Sequence, residues 1–183
     1  MTAKMTQQER TLLETLDRLF RSEAVRAQID PIVERVRQEL AQSLSAKMAW
    51  EPIPLAIYGD ALPRPILSSW VFVLRGGATT GAERHPNSHQ RMMSYHGIGD
   101  MQTGGEGQWQ PHLMPSAQDA ALEQRWISIP QNVWHQVVVP QGDDWVVVSF
   151  HTVPADELIE ERPDSADSGR TKQKLYVAPD DKK

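Results

Sequence analysis

Residues 68–77, SSWVFVLRGG, open a series of short apolar runs that decides the fold of this chain. The series continues with QRMMSYHGIG (90–99), RWISIP (125–130), VWHQVVVP (133–140) and WVVVSFHTVP (145–154). Glycine, proline and polar residues separate the runs, and no stretch with helical periodicity lies between them. Short strands at this spacing are typical of antiparallel sandwiches and barrels. We therefore predict a mainly β fold, with one antiparallel β-barrel over residues 49–155.

Residues 1–48 have a helical pattern instead. Thr6 followed by Glu9 is a capping-box pattern, and leucines then recur at helical spacing. Asp30 and Pro31 give a second helix-start signal, which precedes a second apolar stripe. We interpret both stripes as packing surfaces, either against the barrel or against a second subunit.

Residues 156–183 are predicted to form a charged C-terminal tail. The segment SADSGR (165–170) has a composition that favours mobility, whereas KLYVAP (174–179) could add an edge strand.

Composition restricts the function classes. The chain has 183 residues, a net charge of −5 and no cysteine. An acidic balance argues against a nucleic-acid partner, and the missing cysteines exclude disulfides, thiolate metal ligands and thiol nucleophiles. No signal-peptide core or membrane-spanning apolar run is visible, so we expect a cytoplasmic protein without a membrane partner.

All 6 histidines lie between residues 85 and 151. If residues 85–91 are extended, His85, Asn87, His89 and Arg91 point to one side. His135 enters a separate strand after a turn. Three imidazoles converging inside a barrel would suit a first-row divalent metal, whereas a polar barrel mouth is the ordinary alternative.

Arg91 and Asn87 are the candidate substrate-binding residues, because they share the predicted side of the histidines. The planar fork of Arg91 could hold a substrate carboxylate, and a surface ion pair is the alternative. His96 is expected at a strand end on the surface, and His112 lies in a loop and receives no role.

The segments ERHPNSHQRMMSYHGIG (83–99) and ISIPQNVWHQVVV (127–139) resemble the two motifs of the cupin superfamily. The resemblance covers about residues 65–153 and implies a jelly-roll barrel that holds a divalent metal. It departs from the family pattern in the first motif. Cupins usually show His-x-His and then an acid, whereas His85 and His89 are four apart and no acid follows them. The resemblance thus implies a metal set of His85, His89 and His135.

The segment SFHTVP (149–154) is similar to the Ser-x-His segment of thiol dioxygenases, a cupin family with a three-His iron site. This similarity implies that Ser149 and His151 form a catalytic hydrogen-bonding pair. Val153 stands where those enzymes have a tyrosine. A buried, hydrogen-bonded histidine without a catalytic role is the alternative for His151.

Two classes of function remain open on this sequence. The first is a small-molecule metalloenzyme, with Fe(II) as the implied cofactor and dioxygenase as the implied reaction. The second is a degenerate, metal-free cupin that binds a small ligand or serves as a scaffold. Because the helical segment carries two apolar stripes, and cupins commonly pair, we also predict a homodimer.

Overall fold

The computed structural model of the chain describes residues 5–105, 107–166 and 169–177. In these ranges the strands are β1 (Met48–Pro52), β2 (Ser68–Leu74), β3 (Gln90–His96), β4 (Ile98–Gly105), β5 (Gln108–Gln110), β6 (Leu113–Pro115), β7 (Trp126–Ile129), β8 (Trp134–Val138), β9 (Trp145–His151), β10 (Ile159–Pro163) and β11 (Thr171–Leu175). The helices are α1 (Gln7–Phe20), α2 (Glu23–Gln42) and the short α3 (Leu122–Arg125). None of the helices described is both long and apolar enough to cross a membrane.

The predicted helical segment is confirmed by α1 and α2. The hydroxyl of Thr6 caps α1, because it accepts a hydrogen bond from the backbone N–H of Glu9 at 3.2 Å. The predicted capping box is not completed. The Glu9 carboxylate is instead hydrogen-bonded to Arg91 and Ser128 on the neighbouring sheet.

The second helix-start signal was wrong. Helix α2 begins at Glu23, after Ser22, and runs through Pro31 without a break. A proline inside a helix removes one hydrogen bond and frees the carbonyl four residues earlier. Both Pro31 and that residue, Ala27, lie on the exposed face of α2, where water can solvate the free carbonyl.

The β region forms two antiparallel sheets that face each other as a jelly-roll sandwich. Sheet A has the strand order β1-β2-β9-β3-β7, and sheet B consists of β5, β4 and β6 with β8 also paired to β4. The antiparallel jelly roll with N-terminal helices is therefore confirmed, although the sheets are not closed as a barrel.

Sheet A is buried on both faces, which explains why its central strands contain uninterrupted apolar runs. Val71, Val73 and the neighbouring outward residues pack against α1 and α2. Trp70, Phe72 and Leu74 of the same strand pack toward sheet B. Alternate residues of a strand point to opposite faces, so two covered faces require a continuous apolar run.

The C-terminal tail contains a hairpin. Strands β10 and β11 pair with each other in a separate two-stranded sheet, and β11 includes the start of KLYVAP. The backbone of Glu161 bonds to that of Arg84, which fixes the hairpin beside the jelly roll. Residues 167 and 168 of SADSGR, and residues 178 and 179 of KLYVAP, lie outside the described residues.

The apolar stripes of α1 and α2 are covered by sheet A of the same chain. This is the alternative in which the helices fold back on their own jelly roll. It removes the exposed surface that motivated the homodimer, which stays a prediction. Sedimentation equilibrium at micromolar protein tests it: a single species near 20.7 kDa, without concentration dependence, would rule the dimer out.

Docking of α1 can be tested through Phe20. Its ring is 2% exposed and lies 5.8–6.2 Å from the rings of Tyr58, Tyr95, Trp126 and Phe150. We expect Phe20→Ala to lower the free energy of unfolding by about 3–5 kcal/mol, because it leaves a cavity between helix and sheet.

The matched control is Leu44→Ala, since Leu44 is 87% exposed and should change stability by about 0.5 kcal/mol at most. Urea unfolding followed by tryptophan fluorescence measures both. Equal stabilities for the two variants would show that α1 does not pack as described.

Candidate metal centre

Two backbone hydrogen bonds place Glu83 and His135 opposite each other. The N–H of each residue donates to the carbonyl of the other at 2.8 Å, in an isolated antiparallel bridge. The turn before β8 contains Asn132 with φ of 63°, a left-handed conformation that asparagine tolerates better than most residues. The Asn132 N–H donates to the carbonyl of His85 at 3.1 Å, which ties the turn to the third residue of the site.

Glu83, His85 and His135 form a compact cluster. Each offers one ligand atom, and these atoms all lie within 4.8 Å of one another. The ring centroids of the two histidines are 5.3 Å apart, and His135 Nε2 lies 3.5 Å from Glu83 Oε1. Both histidines are buried. The cluster is a candidate site for a divalent cation by its donor set, since imidazole nitrogen and carboxylate oxygen bind first-row metals.

Backbone carbonyls fix the tautomer of both histidines. His85 Nδ1 lies 3.0 Å from the carbonyl oxygen of Ile159, and His135 Nδ1 lies 3.0 Å from that of Val133. Because a carbonyl only accepts, each Nδ1 carries a proton, and in the neutral imidazole each Nε2 then keeps its lone pair. His135 Nε2 is buried and has no hydrogen-bond partner among the described residues. Carbonyls such as those of Ile159 and Val133 are the outer partners that orient metal-binding histidines.

Electrostatics keep these groups in the protonation states that bind cations. Burial and the neighbouring His135 lower the pKa of His85 to about 4, so it is neutral at pH 7. Burial alone would raise the pKa of Glu83, but contact with His135 and the guanidinium of Arg162 hold it at about 2. Arg162 from β10 donates to the Glu83 carboxylate and to that of Glu160.

A small cavity of about 30 Å³ adjoins the cluster between the two sheets. Besides Glu83 and His85, its lining includes Gln90, His151 and Tyr176. The side-chain oxygen of Gln90 is buried without a hydrogen-bond partner in the described part of the chain. The cavity is thus polar on the side of the cluster and has acceptor atoms available for a ligand.

His89 is not part of the cluster. Its Nε2 is 2.7 Å from the hydroxyl of Ser128 and 3.9 Å from Glu9, on the helix side of sheet A. The expectation of an extended 85–91 segment was wrong, because residues 86 and 87 form a turn and β3 begins only at Gln90. The structure therefore brings Glu83, and not His89, together with His85 and His135.

The two candidate substrate-binding residues also lie away from the cavity. Arg91 makes a bidentate ion pair with Glu9 at 2.7 and 2.8 Å, because odd residues of β3 face the helices. Asn87 bonds to the backbone of Glu157 and Ile159 and so holds the start of β10. Both residues have structural partners. Arg91 lies on the side of His89, next to Glu9, and not on the side of His85, which corrects the expectation that all four residues point the same way.

Ser149 and His151 do form a hydrogen-bonded pair beside the cavity. Ser149 Oγ is 2.8 Å from His151 Nε2, and Ser88 Oγ is 3.2 Å from His151 Nδ1. The His151 ring centroid is 5.1 Å from that of His85. Burial lowers the pKa of His151 well below its usual value, so its imidazole is neutral at pH 7.

Sequence reasoning missed Glu83, although a signal for it was present. Glu83 and His85 have the two-residue spacing of a His-x-His pair, and on an extended segment such residues share a side. Gln90, Arg162 and Tyr176 were missed as well. The last two follow the jelly roll in the chain, and no local pattern connects them with residues 83–85.

Comparisons with known proteins find similarity only among solved structures. No family model and no curated protein matches the sequence. A structure of oxalate oxidase in complex with the substrate analogue glycolate is 13% identical, covers 60% of this chain and 53% of its own, and has a TM-score of 0.46.

CapF and KdgF are two further proteins whose solved structures are similar to this chain. CapF from Staphylococcus aureus, a capsular polysaccharide assembling protein, is 13% identical over 59% of this chain and 29% of its own, with a TM-score of 0.46. KdgF from Halomonas sp. is 15% identical over 63% and 89%, with a TM-score of 0.44. This chain therefore spans about half of the oxalate oxidase chain and under a third of CapF. A link to three-His dioxygenases is not shown.

The pH dependence of stability tests the environment of His85. Its pKa is about 4 in the folded protein and about 6.5 in the unfolded chain. Between these values the unfolded state takes up a proton that the folded state does not. We therefore expect a contribution of roughly 3 kcal/mol, complete above pH 6.5, to be lost as the pH falls toward 4.

His85→Asn should flatten this part of the profile, while its amide can still donate to the Ile159 carbonyl. Urea unfolding between pH 4 and pH 7 in the presence of a chelator measures both proteins. Profiles of equal slope would contradict the buried, neutral His85.

Proposed function

We propose that this protein is a small-molecule metalloenzyme of the cupin type, in which Glu83, His85 and His135 hold one divalent metal ion. The observation that carries the proposal is the Nε2 atom of His135. It is buried, unpartnered in the described structure and 3.5 Å from a carboxylate oxygen. A buried polar atom without a partner costs free energy, and a cation between these atoms would remove that cost.

The donor set favours iron among the candidate metals. Two histidines and one carboxylate with open positions are the set typical of non-haem Fe(II) oxygenases, although manganese and zinc also accept it. When bound, the ion would supply Lewis-acid positions for a small organic ligand and O₂. A dioxygenase reaction is thus the finer proposal, resting on Glu83 instead of the three-His set that includes His89.

The residues beside the ion would bind the ligand and handle protons. His151 is neutral and has a serine hydroxyl beside each ring nitrogen, Ser88 at Nδ1 and Ser149 at Nε2. The neutral imidazole can accept a proton that reaches it through one of these hydroxyls. Gln90 Nε2 lies 3.5 Å from Ser149 Oγ, which leaves its amide oxygen facing the cavity that it lines. We propose Ser149 and His151 as the proton-transfer pair and Gln90 as a ligand-orienting residue.

A metal-free cupin that binds a small ligand is the second candidate, and Arg162 favours it. Its guanidinium already donates to Glu83, so the buried carboxylate has a positive partner without any metal. Gln90 also lines the cavity, and its side chain is a neutral amide, whereas an acidic residue would have offered a further metal ligand. In this function the cavity would select its ligand by shape and hydrogen bonds alone.

The cytoplasmic location stays a prediction in either case.

Metal analysis of protein purified without a histidine tag tests the first candidate. We expect about one divalent ion per chain in the natural protein. His135→Ala should reduce metal affinity by about 100-fold or more, because it removes a ligand and not just an outer partner. His112→Ala is the folded control, since His112 lines a separate groove that does not include Glu83, His85 or His135.

His89→Ala separates the two ligand sets. The Glu83 set predicts unchanged metal content in this variant, whereas a three-His set predicts a loss like that of His135→Ala. Equal metal content in His135→Ala and His112→Ala, with both folded, would remove the proposed site and favour the metal-free cupin.

A further inference from the structure

The C-terminal hairpin contributes to the cavity through three different groups. The carbonyl of Ile159 fixes the tautomer of His85, and Arg162 pairs with Glu83. Tyr176, the residue after β11, forms part of the cavity wall. Its N–H donates to the carbonyl of Leu158 at 2.7 Å, which joins the end of β11 to the start of the hairpin.

Tyr176 is fixed in place by an aromatic cluster. Its ring centroid lies 5.8 Å from those of Trp50 and Trp70, and 6.0 Å from that of Phe72. On its other side it lies 6.1 Å from the ring of His85. The residue is 8% exposed. Because the ring is packed on both sides, its position in the cavity wall is determined by the core and not by the ligand.

Tyr176 lies at the same end of the cavity as the metal cluster, because it lines the cavity and its ring contacts that of His85. A tyrosine hydroxyl carries one proton that it can donate in a hydrogen bond, and a buried one ordinarily has a partner.

The size and charge of the cavity restrict the ligand. About 30 Å³ admits two or three water-sized groups, because one such group needs roughly 10–15 Å³. With a divalent ion bound to Glu83 and two neutral histidines, the centre would carry one net positive charge. Arg162 adds a further positive charge beside Glu83, and the carboxylate of Glu160 balances that charge. A small anion is therefore the ligand that this space favours.

We propose that Tyr176 determines ligand specificity: its ring limits the ligand to a carboxylate of about three non-hydrogen atoms, and its hydroxyl donates a hydrogen bond to a carboxylate oxygen. This rests on the proposed metal site, because the ion supplies the positive charge. The ring and the hydroxyl have separable roles, so different substitutions test them.

The experiment is titration of the cobalt(II)-loaded full chain with formate and with benzoate, followed by the visible absorption of the bound cobalt. The natural protein should bind formate and exclude benzoate. Tyr176→Phe should keep the exclusion of benzoate and weaken formate binding by about tenfold or more, since it removes a hydrogen bond to a charged group. Tyr176→Ala should admit benzoate, with at least about a tenfold gain in affinity.

Tyr58→Phe is the matched control, because the Tyr58 hydroxyl bonds to Ser69 on the helix side of sheet A. It should bind both anions as the natural protein does. If Tyr176→Ala does not fold, Tyr176→Leu keeps more of the core packing while still shortening the wall.

The outcomes separate the inference from the proposed function. The role of Tyr176 alone would be overturned if the protein binds one cobalt ion per chain and every Tyr176 variant keeps the formate and benzoate affinities of the natural protein. Failure of the natural protein to bind cobalt would overturn the metal site and the inference with it.

Discussion

The site depends on the pair of backbone hydrogen bonds between Glu83 and His135. The two residues are distant in the chain, and these bonds hold them directly opposite each other in the jelly roll, with their side chains close together. His85 then joins them because it is two residues beyond Glu83. Each histidine donates its Nδ1 proton to a carbonyl, so two lone pairs and one carboxylate meet at a dry position. The proposed metal site rests on that arrangement, and the proposed role of Tyr176 rests on the metal site.

The fold could be predicted from the sequence because its signals are local. Apolar runs bounded by turn residues identified the strands, and the leucine spacing identified the helices. The site was only partly predictable for the same reason. His135 follows a turn that is visible in the sequence, and Ser149 and His151 lie on one strand. The position of His89 depended on where β3 begins, and a turn at residues 86 and 87 moved that start to Gln90.

The alternation along β3 also explains why Arg91 and His89 have structural partners. Sheet A is covered by helices on one face, so a charged residue on that face is buried. Glu9 supplies the opposite charge, and Ser128 bonds to both Glu9 and His89. A buried ion pair is costly unless its geometry is good, and this one is bidentate. It fixes the N-terminus of α1 on the sheet and is separate from the chemistry of the cavity.

Arg162 determines how the charge of the site is balanced when no metal is bound. Small metal-binding domains often unfold in the absence of the ion, because their ligands repel or remain unsatisfied. Here the guanidinium supplies a positive charge to Glu83, burial keeps His85 neutral, and the carbonyls of Ile159 and Val133 orient both histidines. The ligands are therefore held in place by the protein itself. Folding and metal binding are separable in this design, which is why a metal-free form of the same jelly roll can keep its cavity and why metal content, not stability, distinguishes the two functions.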